Sequence, residues 1–493
     1  MKLKIGNFQV RSVCLGEKDA YENGVLTLCK EKAITYLKDC DDHITDLDIV
    51  IANPGEDTRI VPVIETIEPR CRVDGRTLFP SVTDEVSPAG DGELKALKGC
   101  CVTVVGKCWG SFGDGVIDMG GEGARHTYWS QLINICLVGD TDEEFERHEQ
   151  QKCNHALRWA GHRLAEYIGK IVKSLPAEEF EEYVFDPVIS QAKRDNGLPN
   201  VAIVLQPQSQ MEALGYNDLW YGWDLNKFLP TFVSPTEVLD GALISGSFMP
   251  SSSKWSTYEM QNFPTIKELF REDGKSLNFV GVILSMLNVA LDQKERAAVM
   301  VRNMALNLGV DYAIVTEEGY GNPDTDYVRC QVILEDAGIP VVGISNECTG
   351  RDGFSQPLVT LDAKMNALVS TGNVSELTEL PACKTVMLTR IFSLLTVFMP
   401  FSMPTTAVRI YTAARNRIRK SCTRAVSGSP VRKCSPALSC RIPSPKEVAT
   451  PAAVAKTEST STVFPNHPRA LFSPMRGMNT ELMSPGCPLR NCI

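Results

Sequence analysis

From Asn200 onward the chain repeats a pattern that few folds can satisfy: a short, continuously apolar run, a polar loop, then a stretch with helical spacing. The runs are VAIVLQ (201–206), VLDGALIS (238–245), FVGVILS (279–285), YAIVTEE (312–318) and VVGIS (341–345). A strand that is apolar at every position has no face to offer water, so it belongs in a parallel sheet covered by helices on both sides. Helix starts fall between the runs. Asp292 and Glu295 form a capping box opening KERAAVMVRNMALNLG, and Asn322 with Pro323 reads as an N-cap and first-turn pair. Residues 200–386 are therefore expected to form a Rossmann-like parallel α/β domain, with ligands outside the carboxyl ends of its strands.

The rest of the chain is built differently. Residues 1–140 alternate in short segments such as LDIVIAN and IVPVIETI between Gly, Pro and Asp clusters, the pattern of a mainly β domain. Thr141 and Glu144 offer a capping box, and Phe145, Ala156, Trp159, Ala160, Leu164, Ile168 and Ile171 recur at helical spacing. A long helix is predicted over about 142–174, within a 141–199 connecting segment. The fold class is thus α/β: a mainly β N-terminal domain, a long helix, the parallel domain, and a tail over 387–493. That tail is rich in Arg, Ser, Pro and Cys without sustained periodicity, so disorder is its physical expectation.

Charge is divided unevenly. From Leu388 on, 15 Lys and Arg stand against three Glu, which leaves 35 basic and 57 acidic residues before it. An acidic body gives no basis for binding nucleic acid. Met1–Cys14 alternates like a strand and lacks a secretory pattern, so the 17 cysteines are expected in a reducing cytoplasm. There is no CxxC pair, which argues against a thioredoxin-type centre or a zinc ribbon. Cys100 and Cys101, in the run CCVTVVG, read as buried small hydrophobes. The late apolar stretch Ile391–Phe401 is too short for a bilayer, and no membrane association is expected.

Three places carry candidate chemistry. In the loop Pro250-Ser251-Ser252-Ser253-Lys254, a hydroxyl held in a strained turn can attack the preceding carbonyl; elimination and hydrolysis then cut the chain and leave a pyruvoyl group. Lys254 could serve as the base if burial lowers its pKa. Pro and Ser are equally ordinary turn residues. In EEGYGNPDTD, Glu317, Glu318, Asn322, Asp324 and Asp326 bring carboxylates to a helix start, suited to an amino acid's ammonium and carboxylate. Arg351 and Asp352 in the next strand-end loop add a bidentate carboxylate contact and its partner.

The aromatics Trp220, Tyr221, Trp223, Trp255 and Tyr258 read either as core or as a cage for a methylated ammonium. His148, His155 and His162 repeat every seven residues, roughly 10.5 Å along a helix and too far apart to share a metal. They are expected to be a polar helix edge, and no metal is expected.

Five blocks in one order, NPGEDTRI (53–60), GDGVIDM (113–119), the serine loop, EEGYGNPDTD (317–326) and GRDGFSQ (350–356), resemble the component B proprotein of the glycine/sarcosine/betaine reductases. The similarity runs from Met1 to about Val386. In that family the proprotein is cut in two and a cysteine at the cut becomes the pyruvoyl group; the matching position here is Ser252, with cleavage expected between Ser251 and Ser252. No cysteine lies between Cys153 and Cys330.

The resemblance implies a subunit that binds glycine, sarcosine or betaine and activates the amine through the pyruvoyl carbonyl. A selenol- or thiol-bearing subunit would attack the α-carbon, with a thioredoxin-like protein supplying electrons. It also implies Ser252 and Lys254 as catalytic, with Glu317, Glu318, Asn322, Asp324, Arg351, Asp352, Trp255 and Tyr258 around the substrate. Serine in place of cysteine keeps open an uncut paralogue acting as a binding or scaffolding subunit, and a betaine-specific protein, since a quaternary nitrogen cannot form an imine. The resemblance stops where the tail begins, so the tail reads as a basic interaction segment or, preferably, as a shifted reading frame.

Overall fold

Buried on both faces, the apolar runs of the second half do pair in parallel. The computed structural model describes residues 1–387, except 107–114, 143–151, 188–189, 191–195, 211–216, 247–253, 348–357 and 374–379, together with 422–423. The strands Asn278–Leu284, Asn200–Gln206, Tyr312–Glu317, Val341–Glu347 and Leu368–Asn373 lie side by side in that order, all parallel. Thr231–Val233 adds an antiparallel edge to Asn278–Leu284. Helices Leu291–Asn307 and Asn322–Asp336 connect successive strands. The strand order reverses between Asn200–Gln206 and Tyr312–Glu317, where loops leave in opposite directions and open a crevice.

The run 238–245 departs from expectation. Ser234-Pro235-Thr236-Glu237 is a capping box that starts the helix Pro235–Leu239. The chain then turns at Asp240 and at Gly241, whose φ of +94° suits glycine, and Leu243–Ile244 pairs antiparallel with Leu219–Trp220 in a separate small sheet. Local capping and a buried Asp240, which binds Arg72 and the Gly90 N–H, prevail over the apolar run.

Strand patterns in the N-terminal region form a small sheet of Ser12–Leu15, Val25–Leu28 and Ala20–Glu22 and two larger ones. One orders Glu179–Val184, Lys2–Gln9, Gly92–Lys98 and Arg70–Arg72; the other orders Gly115–Asp118, Thr58–Ile67, Cys100–Val105, Ile133–Thr141 and Ile44–Ala52. Cys100 and Cys101 are fully buried in the latter. Thr385–Met387 returns to pair with Thr58–Ile67, and Met387 packs on that sheet's core. Of the long helix predicted over 142–174, the described part is Lys152–Lys170; residues 143–151, with His148, lie outside the described residues. The histidine edge is corrected at His162, which is fully buried, edge-on to Phe79, and driven down to about 3 by burial.

A buried ionic knot ties the N-terminal strands to the segment after the serine loop. Arg70, with no exposure, pairs with Glu68 and donates to Leu239 O at 2.8 Å and Gln261 O at 3.1 Å. Lys98 Nζ reaches Glu68 at 2.9 Å, and Gln261 Oε1 accepts from the Glu68 N–H at 2.9 Å. Burial alone would raise the Glu68 pKa, but Arg70, then Lys98 and Lys267, pull it down to about 2. No described helix is long and apolar enough to cross a membrane.

Candidate functional site

The crevice at the strand-order reversal is lined by groups that grip the serine loop. Past the end of Asn200–Gln206, the Gln208 N–H donates to Asp218 Oδ2 at 3.1 Å and to Glu318 Oε2 at 2.9 Å. Asp218 Oδ1 accepts from the Gly246 N–H at 3.1 Å, and Glu318 Oε1 from the Trp255 N–H. Gly246 and Trp255 flank residues 247–253, so both borders of that segment are fixed by two fully buried carboxyl groups. Burial, and then the Asp218 charge, pushes the Glu318 pKa well above the carboxylate range.

Lys254 is 7 % exposed, and burial lowers its pKa against the pull of Glu318 and Asp218. Its amine lies close to the backbone at Gly319, whose φ is +90° and where a Cβ would stand 3.4 Å from Nζ. Ser251 and Ser252 lie outside the described residues, as do Arg351 and Asp352.

Beside Lys254 a cleft opens along the carboxyl ends of Tyr312–Glu317 and Val341–Glu347. Trp255, Glu259, Phe263, Thr316, Glu317 and Asn346 line it with Lys254. It holds about 60 Å³ of space for water centres, several times what one water needs. Glu317 is buried, with Oε1 held by Ser345 Oγ at 2.8 Å and Oε2 without a partner among the described residues. Burial first, and Asp324 second, raises its pKa well above the usual range. Thr316 Oγ1 and Asn346 Nδ2 are also buried and, among the described residues, without partners. Buried polar atoms are ordinarily satisfied, so three residues that carry such atoms in the lining of one cleft set it apart as the candidate site.

Other expected site residues are placed elsewhere. Asp324 caps the helix Asn322–Asp336, accepting from the Gly321 N–H at 2.8 Å and from the Val359 N–H at 2.7 Å. The cap is Gly321, one residue before the expected Asn322, and Asn322 is exposed. The Asp292 box is likewise displaced: Leu291–Asn307 starts after Ala290, and Asp292 pairs with Arg296 at 3.2 Å. Tyr258 packs with Tyr128 in the Cys101 core, Trp220 and Tyr221 stack edge-on at 5.2 Å, and Trp223 is 66 % exposed. Of the five aromatics, Trp255 lines the cleft, edge-on to Phe263 at 5.0 Å.

Behind Trp255, Thr257 Oγ1 lies 3.1 Å from both His162 Nε2 and Glu65 Oε2 and accepts from the Ser245 N–H at 3.1 Å. Burial raises Glu65 to about 8. Among the described residues no group of three or more His, Cys, Asp or Glu side chains is arranged to hold a metal ion.

Residues 1–392 match the family model described as glycine/sarcosine/betaine reductase component B subunits. The chain belongs to this family. It is 60 % identical over 388 residues to the betaine reductase complex component B subunit alpha of Peptoclostridium acidaminophilum, covering 78 % of this chain and 88 % of that one. Identity is 39 % to the sarcosine reductase complex component B subunit alpha of the same organism, over 78 % of this chain and 89 % of the relative. It is 38 % to that organism's glycine reductase complex component B subunits alpha and beta, over 77 % and 88 %. No solved structure matches the chain significantly. These relatives belong to reductase complexes, which are oxidoreductases.

The component B match extends to 392, past the Val386 boundary read from the motifs, which agrees with Thr385–Met387 pairing into a sheet. Asp218, Phe263, Thr316, Ser345 and Asn346 were missed at the sequence level. Phe263 carried a local signal, an aromatic before the helix-opening Pro264. The others carried only their place at strand ends.

Proposed function

We propose that this chain is the substrate-binding component B subunit of a betaine reductase and works uncut. The observation that carries the reading is the cleft beside Lys254, where the Trp255 and Phe263 rings stand edge to face in its wall. Aromatic faces suit a methylated ammonium, and each well-placed ring contributes up to about 2 kcal/mol when desolvated. If 200–386 is a Rossmann-like unit, this is also where its ligand belongs.

Betaine explains why Ser252 can stand in the cysteine's place. Its nitrogen has no N–H or lone pair and needs no carbonyl for activation. A selenolate or thiolate on a separate subunit attacks the α-carbon, the carbon–nitrogen bond breaks with its electron pair going to nitrogen, and neutral trimethylamine leaves. The carboxymethyl group stays on the partner's sulfur or selenium, and a thioredoxin-like donor later supplies the reducing electrons. This chain's own residues hold the ammonium, exclude water and present the α-carbon. The 60 % identical relative is named for betaine and for one subunit, alpha, whereas the glycine relative is named for two, alpha and beta.

A second reading has its own observation, the clamped loop with Lys254 buried at its border. Ser252 Oγ would attack the Ser251 carbonyl carbon, moving the acyl group from nitrogen to oxygen. Elimination would release the Ser251 carboxylate, and water would replace the nitrogen as ammonia, leaving a pyruvoyl group.

Intact mass and calorimetric titration separate the two. The betaine reading expects one full-length chain, no labelling by carbonyl reagents, and tighter binding of betaine than of glycine, with Trp255→Ala costing about 30-fold. Two fragments with a labelled second chain, or equal affinity for the two ligands, would overturn it.

A further inference from the structure

Behind the cleft wall, one hydroxyl group serves three neighbours. The short helix Thr257–Gln261 and its flanks bring Trp255, Glu259 and Phe263 into the cleft lining, so its first residue, Thr257, sets where that wall stands. The Thr257 N–H donates to Glu65 Oε1 at 3.0 Å, while its Oγ1 accepts from the Ser245 N–H at 3.1 Å and lies 3.1 Å from both His162 Nε2 and Glu65 Oε2. Ser245 and Thr257 stand on either side of 247–253, just outside the Gly246 and Trp255 borders held by Asp218 and Glu318. Glu65 reaches them from the strand Thr58–Ile67, whose pairing with Cys100–Val105 shifts register between Val63 and Glu65, an irregularity of the kind that re-aims a side chain.

Counting protons fixes the direction of these bonds. The Arg158 carbonyl, 2.7 Å from His162 Nδ1, can only accept, so Nδ1 carries the ring proton. Burial, and then the charges of Arg158 and Arg163, keep His162 neutral, so Nε2 is an acceptor and takes the Thr257 hydroxyl proton. Thr257 has no second proton to give to Glu65 Oε2. That bond forms only with Glu65 as the donor, a protonated acid with no exposed surface. Burial, acting against the pull of Arg158, favours the same state.

We infer that Glu65 is a positioning residue for the cleft that works as a neutral carboxylic acid, donating to Thr257, which donates to His162, and so fixing the wall that carries Trp255. This rests on the cleft being the substrate site, whichever amine it takes. In this arrangement Ser245, Glu65 and His162 each find their partner in one oxygen. An ionised Glu65 would compete with His162 for a single proton or require a buried imidazolium, and either leaves the wall less firmly held.

The test compares variants of the full chain. Glu65→Leu and Thr257→Val break the relay, and each should weaken betaine binding about tenfold or more by calorimetry and speed protease cutting within 247–253 by a similar factor. Thr257→Ser should restore both. Glu65→Gln should also recover both to within about threefold, because an amide keeps a carbonyl for the Thr257 and Thr66 N–H groups and an N–H for Thr257 Oγ1. The infrared difference between wild type and Glu65→Gln should contain the carbonyl band of one neutral acid, shifted in D2O.

Thermal unfolding reports folding, and Thr257→Val carries the comparison if Glu65→Leu does not fold. A Gln variant as damaged as the Leu variant, or a difference spectrum without the acid band, would overturn the neutral-acid role. Thr257→Val without effect would overturn the positioning. Where glycine binds in place of betaine, the betaine reading fails and the same ratios are read with glycine; where neither binds, cutting rates and the acid band still decide the role of Glu65.

Discussion

Glu318 and Asp218 are fully buried and hydrogen-bonded to each other, and between them they hold the two borders of the serine loop. Burial first, and then the Asp218 charge, raises the Glu318 pKa well above the carboxylate range, so Glu318 is the partner that can donate. Glu318→Ala would leave the Trp255 N–H without its acceptor, take one of two acceptors from the Gln208 N–H, and remove the carboxyl group hydrogen-bonded to Asp218. The expected loss is about 3–5 kcal/mol in urea unfolding, with faster protease cutting within 247–253. Glu318→Gln preserves most of these bonds and should lose less than half as much. Equal effects would mean that these hydrogen bonds contribute nothing.

His162 gives the protein a weakness in mild acid. The unfolded chain protonates this imidazole near pH 6.5 and the folded chain only near 3, so protons favour unfolding in that window. Its contribution is complete above 6.5 and falls by up to about 5 kcal/mol as pH drops towards 3. His162→Gln should flatten that part of the stability profile measured by urea midpoints. A variant with the wild-type slope would show that another group titrates there.

The Glu68 carboxylate acts lower on the scale. Its pKa of about 2 lies below the ordinary 4.5, so its stabilisation is present above 4.5 and lost as pH falls towards 2, about 3 kcal/mol in all. At neutral pH Glu68→Gln should cost about 3–5 kcal/mol because Arg70 is left charged and buried. The same variant should show a shallower pH dependence between 4.5 and 2, read from unfolding midpoints, with Asp74 and Glu181 supplying what remains.

The C-terminal boundary can be placed by truncation. Ending the chain at Val386 removes Met387 from its strand pair with Ile60 and from the core beside it, and should lower the thermal midpoint by several degrees. Ending it at 392 keeps the whole family match and should leave the midpoint unchanged. Equal midpoints for the two would show that the strand does not contribute.

Much of the frame could be read directly because its signals are local. VAIVLQ, FVGVILS, YAIVTEE and VVGIS are buried on both faces, and no other environment tolerates such runs. VLDGALIS failed because Asp240 finds Arg72 and Gly90 far away in sequence, a pairing no local pattern records. The cleft was half legible for the same reason. Glu317 and Lys254 stand in readable loops, whereas Asn346 and Thr316 gain meaning only when two strands separated by a helix lie in register. Asp324 was misread because a carboxylate three residues into a helix serves the cap as readily as a ligand.

The strand Asn200–Gln206 lies between Asn278–Leu284 and Tyr312–Glu317, while Thr385–Met387 pairs with Thr58–Ile67. Any break within 247–253 would therefore produce two pieces that are interleaved: the first supplies the middle strand of the second's sheet, and the second returns an edge strand to the first. Native chromatography would see one species whether or not the backbone is continuous. For this architecture covalent integrity and structural integrity are separate properties, and a cut could alter the loop's chemistry while the particle's size stays the same.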